Sequence, residues 1–137
     1  MHYWLVKSEP EEWSWQDQCS VESEPWNGVR NHQAQKNMRA MAIGDLVLFY
    51  HSGKAREIVG VCEVVRDAYP DPEDTSGKFC LVDLKAIQEA KTPMTLKDIK
   101  ATPALAHLAL VRQPRLSVMP IDEDAWKVIS TKAGLAA

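Results

Sequence analysis

Apolar residues in this chain gather in short dense runs near the start and middle, and in spaced stripes elsewhere. Tyr3 to Lys7 is a run of aromatic and branched residues closed by Ser8-Glu9-Pro10, and it reads as a strand. Ser14 with Asp17 three residues on forms a weak capping box for a short helix through about Cys19, and a polar loop follows to Pro25. Between Asn31 and Met41 there is no Gly or Pro. Ala34, Met38 and Met41 recur there at helical spacing, and Gly44 closes the helix.

Leu46 to Tyr50 is continuously apolar and predicts a strand buried on both faces. Ile58 to Val65 predicts a second such strand, with Gly60 inside it marking a bulge or a close backbone approach. Pro70 to Gly77 forms a loop, and Phe79 to Ile87 is a third strand. The close succession of these three predicts an antiparallel meander. Thr95 and Asp98 open a short helix, and Pro103 to Leu108 predicts another helical turn. Arg115 to Met119 reads as a last strand. Asp122 caps a terminal helix through about Ser130 that turns Ala125, Trp126 and Ile129 inward, and residues 131–137 read as a flexible tail. Strands in the middle with helices at the ends predict an α+β domain around a curved sheet or small barrel of five to six strands.

The 137 residues fit one domain, and a hydrophobic fraction of 45% with 26% charged residues is ordinary for a globular protein. No apolar run is long enough to span a membrane, and the first residues are too polar for a signal peptide. Three cysteines without a CxxC pair argue for a reducing, cytoplasmic home and against a disulfide framework. Cys62 and Cys80 sit in apolar runs as inert core thiols. The net charge of −3 argues against a strong non-specific nucleic-acid binder. Its distribution changes that picture: residues 1–25 carry one base against six acids, while residues 26–66 carry six bases against three acids. A solvated mixed surface explains such a zone as well as a binding role does.

Four stretches join polar side chains to aromatics where elements end: Trp4–Pro10, Trp26–Asn31, Phe49–Ser52 and Arg115–Val118. Polar residues just past buried strands suit a pocket, in which apolar walls supply area and a few donors and acceptors supply selectivity. In order, WLVKSEP, W-N-G-V-R-N-x-Q-A, F-Y-H-S and R-L-S-V resemble the EVE domain, a PUA-like fold related to the YTH and ASCH domains. V-G-V-x-E-V-V-R-D-A-Y-P-D-P and Pro93-Met94-Thr95-Leu96 match as well, so the resemblance runs from Tyr3 to about Ile129. The loop Asp74 to Lys78 is shorter than in many relatives. The resemblance implies a PUA-like barrel flanked by helices. It also implies a pocket for one modified base, such as a modified cytosine, flipped out of DNA or RNA.

Flipping a base costs a few kcal/mol, and an aromatic face returns roughly 1–3 kcal/mol. Trp26 is the first candidate for that face, with Gly28 behind it allowing close approach; its other reading is a core plug. Asn31 offers a donor and an acceptor to a base edge, or caps the helix that follows. Arg30 suits a phosphate or a base carbonyl, or an ion pair with an acid near the N-terminus. Lys7 and Ser8 end the first strand and can reach a ligand; Ser8 equally suits a turn contact. His51 and Ser52 read as ligand donors or as a satisfied turn. Val29, Gln33, Tyr50, Leu116 and Ser117 complete the expected ligand-binding set.

A catalytic reading finds little support. Ser52 and His51 are adjacent, and neighbours on a strand point to opposite faces. No cysteine sits in a nucleophile motif, no metal-ligand spacing occurs, no Gly-rich phosphate loop exists, and no cofactor is expected. A non-catalytic reader of a modified base is therefore the leading expectation. A small hydrolase acting on a nucleoside or nucleic acid, or a protein-interaction module, is the alternative. Oligomeric state is not legible.

Overall fold

The computed structural model describes residues 1–135. Six strands form one mixed sheet in the order β2-β5-β4-β3-β1-β6. β1 (Tyr3–Ser8) lies parallel to β3 (Leu46–His51) and antiparallel to β6 (Val118–Ile121). Strands flanked on both sides are shielded by their neighbours, which is why Trp4, Leu5, Val6 and Leu46 to Tyr50 are all buried. β3, β4 (Glu57–Pro70) and β5 (Cys80–Thr95) form the expected antiparallel meander, with β4 and β5 longer than their apolar runs. The sheet is α+β and six-stranded as expected, and it is open: its end strands β2 and β6 do not pair.

Gly60 is both things its position predicts. The β4–β5 register shifts beside it, and a Cβ built there would lie 2.5 Å from the Trp15 ring. Trp15 opens α1 (Trp15–Cys19), which carries the full Ser14–Asp17 capping box. α2 (His32–Ala40) starts at the Asn31 cap, and Ala34 and Met38 face the core. Asp45, in the turn after α2, is buried and accepts from Trp4 Nε1 at 3.0 Å, His2 N at 3.1 Å and Ala42 N at 2.9 Å. Burial works to raise its carboxyl, but these donors outweigh it and hold the pKa below the ordinary value. After α3 (Leu96–Lys100), a 3₁₀ turn (Pro103–Leu105) and α4 (Ala109–Arg112) bring the chain to β6.

Three expectations need correction. β2 (Glu24–Pro25) was not foreseen, because a two-residue strand has no periodicity of its own and exists through pairing with Leu84 and Asp83. The last strand covers Val118–Ile121 and not Arg115–Met119, so Arg115 to Ser117 is loop. The terminal helix α5 (Glu123–Ala133) runs past Ser130 to a left-handed cap at Gly134, and Leu135 is buried. Residues 131–135 are therefore packed structure; the rest of the expected tail, 136–137, lies outside the described residues.

Candidate functional site

Where β1 ends, three segments meet it and leave a cleft of about 410 Å³: the turn Glu9–Trp13, the stretch Glu24–Arg30, and the loop before β6. Seven of the residues singled out from sequence line it: Lys7, Ser8, Trp26, Gly28, Val29, Arg30 and Ser117.

One wall is the chain from β2 into α2. Trp26 N donates to Val82 O at 2.8 Å, continuing the β2 pairing by one residue. The Trp26 ring is 7% exposed and meets Phe49 edge-on at 5.7 Å, so it packs into the core while also bordering the cleft. Gly28 has φ +79 with no atom within 4 Å of a would-be Cβ. Its positive φ suits glycine, and the open space beside it leaves this part of the backbone accessible from the cleft. The buried Gln35 holds this wall in place. Its Nε2 donates to Val29 O at 2.8 Å, and its Oε1 accepts from Cys80 N at 2.9 Å. Arg30 sets its guanidinium over Phe79, 4.4 Å from the ring centre, and among the described residues it has no ion pair.

The other wall is the end of β1. Lys7 N donates to Ser117 O at 2.9 Å, and Lys7 Nζ donates to Pro114 O at 2.8 Å. Burial lowers the Lys7 pKa. Ser8 Oγ donates to Trp13 O at 2.5 Å, the turn contact that was one of its two readings. Trp13 Nε1 donates to Gln18 Oε1 at 2.8 Å, and Gln18 Nε2 reaches Leu84 O at 2.8 Å, so a fully buried amide fixes the half-buried Trp13 against β5.

The remaining expected residues lie off the cleft. Asn31 Oδ1 accepts from Ala34 N at 2.9 Å as the α2 cap, and Gln33 is exposed on that helix. Tyr50 is buried, with Lys7 Nζ 5.8 Å from its ring centre. His51 Nε2 accepts from Trp15 N at 3.0 Å and so ties β3 to the start of α1. Ser52 N donates to Ser8 O at 2.9 Å, and Leu116 is buried.

Glu12, Trp13, Glu24 and Pro25, outside the four stretches, also line the cleft, as do Glu9 and Asn27 within them. Pro25 flanks Trp26, a proximity that could have found it; Glu12, Trp13 and Glu24 give no local sign. The cleft thus sets Lys7 and Arg30 against three carboxylates. Glu24 is half-buried, and burial, then the charge of Asp83, pushes its carboxyl up. Asp83 in turn accepts from Tyr69 Oη at 2.5 Å. Tyr69 is pushed up to about 12 by burial and by that contact. Among the described residues no cluster of three potential metal ligands occurs, and no helix is long and apolar enough to cross a membrane.

The chain matches the EVE domain over residues 2–132. It is 32% identical to thymocyte nuclear protein 1 of Gallus gallus, over 93% of this chain and 66% of that protein. A Rhodopseudomonas palustris protein solved by NMR superposes with TM-score 0.94 at 50% identity, covering 100% of this chain and 96% of that one. The human THYN1 protein, solved in complex with DNA containing 5-methylcytosine, superposes with TM-score 0.87 at 27% identity over 97% of this chain and 98% of that one. With a PUA-like sheet, the four sequence stretches in order and a match along almost its whole length, the chain belongs to the EVE domain family.

Proposed function

We propose that the cleft holds a single modified nucleobase, flipped out of a nucleic acid, and that the protein recognises the base without reacting on it. The observation that carries this reading is the cleft itself: two indoles, Trp13 and Trp26, border one space with a lysine, an arginine and carboxylates. Trp13 is the more exposed of the two and has no aromatic partner among the described residues, which makes it the first choice for stacking. A flat ligand gains area from the indoles, and the polar groups read its edge. The DNA complex of the human relative makes DNA the first partner to test. Three free cysteines fit a reducing compartment, for which we propose the cytoplasm.

The test is binding of oligonucleotides that carry one 5-methylcytosine or one cytosine in the same sequence. Loss of a stacking face costs roughly 1–3 kcal/mol. Trp13→Leu should therefore weaken binding about tenfold or more, while Trp26→Phe, which keeps a ring in a core position, should weaken it less. If both variants bind as the parent does, the cleft is not the base site.

A further inference from the structure

Glu24 is the acceptor in the cleft that the fold leaves without a donor. Glu9 and Glu12 are exposed and solvated, whereas Glu24 is half-buried and its carboxylate, among the described residues, makes no hydrogen bond or ion pair. Its neighbour is another carboxylate, Asp83, which the β2–β5 register places opposite Pro25. Asp83 is itself engaged by Tyr69 Oη. The only bases lining the cleft, Lys7 and Arg30, are held elsewhere, on Pro114 O and over the Phe79 ring. A partly desolvated carboxylate beside a like charge is a costly arrangement unless something donates to it. Glu24 and Trp26 are two residues apart on an extended chain, so their side chains share a face roughly 7 Å apart. That span suits a ring stacked at the indoles with its edge donating to the carboxylate.

We propose that Glu24 is the specificity-determining residue of the cleft, selecting bases that present an exocyclic amino group over bases that present a carbonyl at that edge. The inference rests on the base-binding reading above. An amino group donates to the carboxylate and supplies the hydrogen bond it lacks. A carbonyl would set lone pairs against the Glu24 carboxylate and leave it unsatisfied, which is how polar sites reject a near-isostere. Carboxylates accept from the cytosine amino group by the same geometry in nucleic-acid grooves. Lys7 has N–H groups beyond the one given to Pro114 O and can donate to a carbonyl elsewhere on the base.

5-Methylcytosine and thymine make a matched pair of probes. They share the ring methyl and the C2 carbonyl, and differ at C4, an amino group against a carbonyl, and at the neighbouring ring nitrogen, which carries a proton only in thymine. Single-stranded oligonucleotides of one sequence carrying either base should be titrated against the intact protein and against Glu24→Gln, with melting curves confirming that the variant folds. The parent should prefer 5-methylcytosine by about tenfold or more. Glu24→Gln, which can both donate and accept, should bring the two affinities to within about threefold. An unchanged preference in the variant overturns the assignment to Glu24. So does a parent that binds both bases equally while Trp13→Leu still weakens both, and that result leaves the base-binding reading standing. Failure of both probes to bind overturns the base-binding reading and takes this inference with it.

Discussion

His51 shows how one side chain can tie the start of a helix to a strand. Its Nε2 accepts from Trp15 N at 3.0 Å, and its ring lies 5.7 Å from Phe49, so the neutral imidazole is the form that fits. Burial lowers its pKa, with the charge of Glu57 opposing. A histidine whose folded pKa is depressed contributes stability that is present above its unfolded value of about 6.5 and is lost as pH falls through the folded value. The thermal midpoint should therefore drop as pH goes from 7.5 to below 6, and His51→Gln, which can accept but does not titrate, should show a shallower drop. Matching slopes for the two proteins would refute this role. The buried amides Gln18 and Gln35 act in a related way. Each bridges a cleft segment to β5, and neither leaves a buried polar atom without a partner.

Between elements, the contact that matters most to the cleft is α1 against β4. Trp15 lays its ring over Gly60, packs edge-on to Phe49 at 5.3 Å, and sends Nε1 to Glu89 Oε1 at 3.2 Å. Because Trp13 lies two residues before Trp15, this packing also sets the depth of one cleft wall. Gly60→Ala would place a methyl 2.5 Å from the indole. Overpacking of this kind costs about 1–3 kcal/mol, which denaturant unfolding will measure, and the displaced α1 should weaken oligonucleotide binding as well. The opposite wall depends on a different kind of junction. Asn31 ends the Trp26–Arg30 stretch by capping α2, so the helix start and the cleft edge are the same few residues.

For the molecule as a whole, the charges predict a mode of binding. The net charge is −3, and the cleft holds three carboxylates against Lys7 and Arg30. A surface of this kind neutralises few phosphates, so most of the affinity must come from the base. The logarithm of the association constant should fall with the logarithm of salt with a slope of about −1 to −2, shallow beside proteins that make many phosphate contacts. A slope several times steeper would mean that the backbone, and not the base, dominates. Such a slope would also favour reading the six bases of residues 26–66 as a phosphate track.

The sequence by itself determined the elements whose cause is local. Apolar runs and caps marked β1, β3, the meander and the starts of α1, α2, α3 and α5, since periodicity and capping act over two to four residues. It also marked Lys7, Ser8, Trp26, Arg30 and Ser117, polar or aromatic residues near the ends of those elements. Only the tertiary structure decided that β1 lies between β3 and β6, that Glu24 and Pro25 form a strand, and that Leu116 turns into the core. Only it brought Trp13 and Glu24 to one cleft, through Gln18 reaching Leu84 and Glu24 pairing with Leu84. Those contacts join residues some sixty positions apart, and no local pattern encodes a partner at that distance.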